Sequence, residues 1–234
     1  MTRYLACDAG ADVVTTNLGP KAAKPTTCRM FDTPLIELFS RISPFSPAVF
    51  WVPVLVGLVG YEVHRGVPAL RLFALFSAGW LAWSLTEYLL HRFVFHWIKG
   101  KPWQRRFHFI FHGVHHDFPQ DAKRLVFPLG VSIPLGLVFF LGMAAVFTHE
   151  TALGLFCGFG SGYLAYDGIH YFTHHVPARS ALGKYLKRYH MVHHHAGVEG
   201  LWGVSFPLWD YVLGSYSDVS RKKTRAPGTA IGEA

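Results

Sequence analysis

Cysteine and charged residues are both scarce in this sequence of 234 residues. The three cysteines (Cys7, Cys28 and Cys157) are odd in number and form no C-x-x-C pair, so they indicate neither a disulfide scaffold nor a zinc ribbon. Charged residues make up only 15% of the chain and hydrophobic residues 51%, whereas soluble domains are about one quarter charged. This balance favours an integral membrane protein that forms a single structural unit.

A secretory signal and a nucleic-acid motif are also missing. The N-terminus lacks the basic segment and apolar core of a signal, and residues 1–30 are expected to be flexible or peripheral. The net charge of +8 comes partly from basic clusters in residues 99–106, 179–188 and 221–225, which match no nucleic-acid-binding motif. We therefore expect no nucleic-acid partner and interpret these clusters as cytoplasmic anchors beside membrane spans.

Histidine, in contrast, is abundant, and thirteen of the fifteen histidines fall in four short runs. The runs occupy residues 91–96, 108–116, 170–175 and 190–195. They are interleaved with Phe, Tyr, Val and Ile, as in helices of a packed protein, whereas low-complexity metal-binding tracts are contiguous and polar. The two remaining histidines, His64 and His149, are interpreted as ordinary surface or core residues. Because neutral imidazole is the commonest side-chain metal ligand, the runs predict a metal centre.

The spacing within the runs identifies ten candidate ligands. Residues three or four apart share a helix face, which predicts one cluster of His112, His115 and His116, a second of His190, His193 and His194, and the pair His170 and His174. His91 and His96 are about 140° out of phase on an ideal helix. They can converge only if the helix ends or unwinds between them. Ten histidines are enough for two metal ions.

Four apolar stretches predict membrane-spanning helices, at residues 48–61, 70–90, 127–148 and 151–166. Before them, residues 34–42 predict a short amphipathic helix in the membrane interface, with Thr33 as its N-cap and Pro34 as its first residue. Gly154, Gly158 and Gly162 recur at four-residue steps in the last stretch, which predicts a close contact with another helix.

Four spans place both chain ends and both His-bearing segments, residues 91–126 and 167–234, on one side of the membrane. The opposite loops, at residues 62–69 and 149–150, are short, and Lys and Arg are concentrated on the His side. The positive-inside rule makes that side cytoplasmic. The predicted fold is therefore all-α, with four transmembrane helices under a cytoplasmic His-rich cap that holds a dimetal centre.

The predicted organisation has three parts. Residues 31–220 form the membrane domain, residues 1–30 precede it as the flexible segment, and residues 221–234 follow it as a basic tail.

The chemistry follows from the ligand set and the membrane. A pocket lined by histidine binds iron, zinc or copper, but hydrolysis normally needs a carboxylate beside the metal, as in H-E-x-x-H, and the runs contain no such Glu. A membrane base suggests a lipid that enters sideways from the bilayer. Attack on its unactivated C–H bonds requires an oxidising metal and O₂. These features favour a diiron oxygenase that acts on a lipid chain.

The runs resemble those of the fatty acid hydroxylase / sterol desaturase superfamily of membrane diiron enzymes, and most of all the fatty acid 2-hydroxylases. Residues 112–128, HGVHHDFPQDAKRLVFP, are similar to the H-G-x-H-H…D…R-L-V-x-P stretch of that subgroup. Residues 166–171 match its Y-D-x-x-H-[FY] stretch, and residues 187–194, 203–205 and 208–210 are similar to its final part. The resemblance covers about residues 80–216.

The resemblance implies a ligand set and partners. The implied metal ligands are His91, His96, His112, His115, His116, His170, His174, His190, His193 and His194. Iron is expected in the active enzyme, and zinc can displace it in purified protein. The implied partners are a membrane lipid or fatty acyl substrate, O₂ and a separate cytochrome b5-like or ferredoxin-type electron donor. The expected location is a bacterial inner membrane, or the endoplasmic reticulum if the source is eukaryotic.

Other residues near the runs have candidate supporting roles. Three extra histidines, at positions 108, 175 and 195, are expected to lie behind the ligands or on the surface. Metal-bound histidine usually donates its second N–H to a carboxylate or carbonyl, so four aspartates could orient imidazoles or instead cap helices: Asp117, Asp121, Asp167 and Asp210. Tyr166, Tyr171 and Trp209 could line an acyl channel or form an interfacial aromatic belt.

Two alternatives remain open from sequence. One is another enzyme of the same superfamily, namely a sterol oxidase or desaturase or a carotenoid hydroxylase, because regiochemistry depends on pocket shape. The other is a membrane metal transporter or sensor. Transporters, however, place their ligands at the middle of the bilayer, whereas these runs lie at the ends of the spans.

Overall fold

The computed structural model describes residues 26–98, 100–196 and 199–217, which fold into helices and turns without a β-strand among them. The all-α prediction is confirmed. Residues 1–25 and the predicted basic tail, 221–234, lie outside the described residues. Residues 26–30, also within the predicted N-terminal segment, pack onto the fold, where Met30 is buried.

In chain order the α-helices are α1 (Pro34–Ser40), α2 (Ser46–His64), α3 (Ala69–Leu90), α4 (Pro102–His108), α5 (Val114–Asp117), α6 (Leu129–Val146), α7 (His149–His175), α8 (Ala181–His195) and α9 (Leu208–Val212). Two π-helical turns, π1 (His91–Phe95) and π2 (Phe109–Gly113), follow α3 and α4. A 3₁₀ turn (Ala122–Arg124) precedes α6.

Helix α1 begins at the predicted proline and has no buried residue. Its apolar side chains are exposed, namely Leu35, Ile36, Leu38 and Phe39. Glu37 holds the helix in place, because its carboxylate pairs with the buried Arg124 and accepts hydrogen bonds from the backbone N–H groups of Met30 (3.0 Å) and Phe31 (3.2 Å). The helix is thus fixed to the protein through polar contacts while its apolar side faces outward.

The long helices α2, α3, α6 and α7 form the body of the molecule. Three described stretches are long and apolar enough to cross a membrane: Ser46–His64, Ala69–Phe95 and Ala122–Val146. The fourth predicted span, residues 151–166, lies within α7 and is not among these three. The turn before α7 also differs from the prediction, because the side chain of Thr148 accepts a hydrogen bond from the backbone N–H of Thr151 and His149 already belongs to the helix.

Helix α7 is the central helix of the body and packs against α2, α3 and α6. Its neighbours bury much of its surface, including Gly158, Asp167 and Thr173. A helix enclosed by other helices can carry glycine and polar residues where a lipid-facing helix would need apolar ones. This enclosure accounts for the lower hydropathy of α7.

Helices α3 and α7 approach each other to backbone contact. A Cβ at Gly158 would lie 1.9 Å from the carbonyl oxygen of Phe76, and one at Gly79 would lie 2.0 Å from the carbonyl oxygen of Leu155. The two neighbouring glycines of the predicted stripe face side chains of α3 at 2.8 Å. The predicted close helix contact is confirmed. An aromatic core flanks this contact and consists of Trp51, Leu55, Trp83, Phe156, Phe159 and Tyr163.

The segments π1, α4, π2, α5, α8 and α9 gather at the end of the body where α3 and α7 finish and α6 begins; we call them the cap. The Glu87 carboxylate, near the end of α3, accepts hydrogen bonds from the backbone N–H groups of Val204 (2.6 Å) and Ser205 (2.8 Å). The cap loop before α9 is thereby attached to a body helix.

We expect Gly158→Ala to lower the thermal unfolding midpoint of the purified protein in detergent. A methyl group there collides with backbone that cannot move without separating two helices, at a cost of about 1–3 kcal/mol. Gly57→Ala is the matched control, since its Cβ would meet nothing within 4 Å and alanine is favoured in a helix. Equal midpoints for the two variants would contradict the close contact.

Candidate metal centre

Four segments bring histidines into one region of the cap. π1 and the residue after it carry the first run, π2 and α5 carry the second, and the last turns of α7 and α8 carry the third and fourth. All ten predicted ligands lie in this region, where their nitrogen atoms form two groups. Within each group the potential ligand atoms lie within 4.8 Å of one another.

Group one comprises His91, His96, His112, His116 and His193, and group two comprises His115, His170, His174, His190 and His194. The clusters predicted from shared helix faces are therefore wrong in one respect, because the second and fourth runs each divide between the groups. Residues four apart stay together, but His115 projects about 100° away from His116 on a helix and joins the other group. His193 crosses in the opposite direction for the same reason.

The π1 turn brings His91 and His96 together. In a π-helix the backbone bonds from residue i to i+5, and the N–H of His96 donates to the carbonyl of His91 at 3.3 Å. Their ring centroids are 5.0 Å apart. The predicted unwinding between these two histidines is thus confirmed, in the form of a wider helical turn.

The convergence of nitrogen atoms fits a metal ion in each group. In group one, the Nε2 atom of His112 lies 3.0 Å from Nε2 of His91 and 2.8 Å from Nε2 of His116. In group two, Nε2 of His190 lies 2.8 Å from Nε2 of His174 and 3.0 Å from Nε2 of His194. Nitrogen ligands of zinc lie about 2.0–2.1 Å from the ion, so nitrogens at these separations could share one metal ion.

Burial keeps these imidazoles neutral, which is the form that binds metal. It lowers the pKa of His112, His115 and His190 well below the usual 6.5, and neighbouring imidazoles act in the same direction. Burial also lowers the pKa of His193 to about 4, although a hydrogen bond to the carbonyl of Gly200 opposes the shift. The groups thus offer uncharged lone pairs without a prior need to lose protons.

Backbone carbonyls orient two ligands of group one. Nδ1 of His91 lies 2.5 Å from the carbonyl oxygen of Trp202, and Nδ1 of His193 lies 3.1 Å from that of Gly200. A ring that donates Nδ1–H to a carbonyl leaves the lone pair of Nε2 free for a metal. Both carbonyls belong to the loop 200–205, which connects α8 to α9.

The five other histidines lie outside both groups. His108 is buried behind group one with Nδ1 on the carbonyl of Phe95, whereas His195 is exposed at the end of α8 and His175 stacks on Tyr171. His64 and His149 are exposed near the opposite end of the body.

None of the four predicted aspartates hydrogen-bonds an imidazole among the described residues. Asp121 caps the 3₁₀ turn by accepting from the backbone N–H of Lys123, as its alternative interpretation predicted. Asp117 is exposed, and Asp167 is buried with the Tyr163 hydroxyl beside its carboxyl group. Asp210 acts at one remove, because it accepts from the N–H groups of Trp202 and Gly203 in the loop that orients group one.

Glu87 was missed as a residue of this site. It binds the same loop from α3, four residues before His91. The available signal was a carboxylate inside an otherwise apolar span, since an ionisable residue in such a place is costly and usually has a specific partner.

A cavity of about 250 Å³ opens beside both groups. It reaches His112 of group one and His115 and His170 of group two. Its walls are mainly apolar and include residues of α1, α6 and π2, with Tyr166 and Asp167 beside the histidines. Tyr171 and Trp209 do not line it, because Tyr171 packs against Phe45 and the Trp209 indole donates to Ser84.

Known proteins are similar to this chain in sequence and in fold. Residues 76–215 match the model of the fatty acid hydroxylase family. The dihydroceramide fatty acyl 2-hydroxylase FAH1 of Arabidopsis thaliana is 36% identical over 188 residues, which cover 80% of this chain and 79% of that protein. The human fatty acid 2-hydroxylase is 34% identical over 78% of this chain and 55% of its own length.

A solved structure extends the likeness to three dimensions. The hydroxylase domain of full-length scs7p superimposes with a TM-score of 0.76 at 32% identity, covering 82% of this chain and 73% of that one. The family match covers more than half of the chain, and the FAH1 match spans most of both proteins. The chain belongs to the fatty acid hydroxylase family.

Proposed function

We propose that this protein is a membrane-bound dimetal oxygenase that hydroxylates the acyl chain of a lipid at C2. The observation that carries the proposal is the convergence of ten buried or half-buried imidazoles in two groups beside one apolar cavity. Relatives whose names specify fatty acid or fatty acyl 2-hydroxylation support the position of attack.

Each histidine group would hold one metal ion, with iron in the active enzyme. Bound iron supplies the oxidising chemistry that an unactivated C–H bond requires together with O₂. Zinc binds such nitrogen-rich sites readily but has no redox chemistry, so purified protein that contains zinc would be inactive.

The overall reaction replaces one C–H bond at C2 with C–OH. One atom of O₂ enters the product and the other leaves as water, which consumes two electrons and two protons. The electrons would come from a separate cytochrome b5-like or ferredoxin-type donor. The residues of this chain then have to position C2 beside both groups and limit the access of water.

The cavity has a shape and lining suited to that task. Its apolar walls include Ile110, Val126 and Val131, which would enclose the acyl chain, while Asp167 stands beside His170 at the polar end. The Asp167 carboxyl group, which is buried beside the Tyr163 hydroxyl, would hydrogen-bond the polar part of the lipid. C2 is the methylene nearest to that polar part, so it would lie next to the metal groups.

Helix α1 provides a route from the bilayer to the cavity. Ile36 and Phe39 line the cavity, yet 50% and 65% of their respective surfaces are exposed. An exposed apolar helix of this kind belongs in the membrane interface. A lipid would therefore enter sideways, past α1, with its head group at the membrane surface.

The proposed membrane placement has four spans, with α7 as the enclosed fourth span beside the three apolar stretches. Basic residues concentrate on the side of the cap. The positive-inside rule then places the cap and both termini in the cytoplasm.

Replacement of His170 or His193 with Ala should abolish hydroxylation and reduce bound metal, because each removes one of five converging ligands. Metal content by mass spectrometry and hydroxylated lipid from expressing cells are the measurements. His64→Ala and His149→Ala are controls outside both groups and should keep activity. A fully active His193→Ala variant with normal metal content would disprove the assignment.

Val131→Phe should fill part of the cavity and shift products toward shorter acyl chains. One methylene gained or lost in an apolar pocket alters selectivity by about 10–200-fold, so the larger phenylalanine side chain should have a clear effect on chain length, whereas the metal content should stay at the wild-type value. Val138→Phe makes the same change on the exposed side of α6 and should have no effect. An unchanged product profile for Val131→Phe would argue that the acyl chain lies elsewhere.

Cells that express the protein under ¹⁸O₂ should release ¹⁸O-labelled 2-hydroxy fatty acids when their lipids are hydrolysed. The His193→Ala strain should show no such label. Label in a sterol or carotenoid, with acyl chains unmodified, would assign the enzyme to another activity of the wider superfamily.

A further inference from the structure

We propose that the two metal-binding groups are unequal, and that Glu87 and Asp210 are positioning residues that hold only group one in its binding geometry. This inference rests on the proposed dimetal function and concerns the strength with which each metal is retained. It follows from the hydrogen bonding of the second nitrogen of each imidazole, the one that does not face the metal site.

The two groups differ in how those second nitrogens are satisfied. In group one, Nδ1 of His91 and of His193 bonds to a backbone carbonyl. In group two, the Nδ1 atoms of all five rings are buried without a hydrogen-bond partner among the described residues. Loss of the partner of a ligand's second nitrogen typically weakens metal binding 10–100-fold.

The loop that supplies both carbonyls is fixed by two buried carboxylates. Asp210 accepts from the N–H groups of Trp202 (2.9 Å) and Gly203 (2.7 Å), and also from the hydroxyls of Tyr189 (2.6 Å) and Ser215 (2.7 Å). Asp210 is fully buried, so these four bonds satisfy it without solvent.

Glu87 fixes the same loop from the body of the protein. It accepts from the N–H groups of Val204 and Ser205 and from the Ser205 hydroxyl. Glu87 lies on α3 one turn before His91. The continuous segment α3–π1 therefore carries both a histidine of group one and the carboxylate that positions the carbonyl behind that histidine.

The backbone conformation of the loop 200–205 is unfavourable by itself and has to be held by contacts with the rest of the protein. Leu201 lies between Gly200 and Trp202, whose carbonyls accept from the two imidazoles, and has φ +62°, a conformation that costs free energy for a side chain of this size. A Cβ at Gly203 would lie 2.4 Å from the carbonyl oxygen of Phe206. Such a loop keeps its shape only where surrounding bonds determine it, and the two carboxylates supply those bonds.

The consequence is a difference in metal retention. In group one the rings of His91 and His193 already point Nε2 at the site, whereas in the described part of the chain no hydrogen bond to Nδ1 opposes rotation of the rings of group two. We therefore expect the group-two metal to leave first, and we expect Glu87 and Asp210 to affect the group-one metal alone.

The test uses full-length protein in detergent, loaded with Co²⁺ and then exposed to excess chelator. Metal per chain and the cobalt absorption spectrum are followed over time. The wild type should lose its metal in two phases of one equivalent each. His174→Ala should remove the fast phase, and His96→Ala should remove the slow one.

Asp210→Asn and Glu87→Gln should accelerate the slow phase about 10–100-fold and leave the fast phase unchanged. Ser205→Ala, which removes one hydroxyl from Glu87, should cause a smaller acceleration and serves if either carboxylate variant fails to fold. Glu62→Gln is the matched control, because Glu62 is a fully buried carboxylate of α2 far from the loop; it should change neither phase.

Three results would overturn the inference: a single rate of loss in the wild type, a fast phase that belongs to group one, or equal acceleration of both phases by Asp210→Asn and Glu87→Gln. In each of these the two metals are bound and the dimetal function stands. Loading of fewer than two equivalents would instead reject the dimetal centre and the inference with it.

Discussion

The contact between α3 and α7 is the constraint on which the rest of the structure depends. Backbone meets backbone at Gly79 and Gly158, so the two helices have little freedom to slide or rotate against each other. π1 and the residue after it extend α3 with the first two candidate ligands, and α7 itself carries His170 and His174. The close packing of α3 against α7 inside the apolar body thereby determines the distance between the two histidine groups in the cap.

The second and fourth histidine runs complete the two groups between the histidines that follow α3 and those of α7. The second run contributes two ligands to group one and one to group two, and the fourth run does the reverse. No carboxylate is among the ligands, so each site would remain positively charged when loaded, and the apolar cavity beside it favours a neutral substrate. The crossing runs also make the two sites mechanically dependent, since a shift of α5 or α8 moves ligands of both.

Much of this arrangement could be predicted from sequence because it depends on local periodicity. The helix face of His170 and His174, the glycine stripe and the start of α1 at Pro34 each follow from residue spacing alone. The assignment of His115 to group two, apart from His112 and His116, could not be predicted, since it depends on which segments lie on either side of α5. Asp210 was expected to act near the imidazoles, and Glu87 stood out as a carboxylate inside an apolar span, but their actual partners could not be predicted, because both accept hydrogen bonds from backbone N–H groups of one loop. Within the described part of the chain, three apolar stretches are long enough to cross a membrane, and α7 differs from them because its composition reflects burial by other helices.

The division of the fourth run between the groups has a consequence for the order of events during synthesis. Each group requires a ligand from residues 190–194, almost at the end of the matching region. A nascent chain that has emerged only as far as α7 offers four imidazoles to one site and three to the other. On the proposed dimetal function, neither coordination sphere would close until α8 has folded back onto the cap, so complete metal capture would follow assembly of the helices.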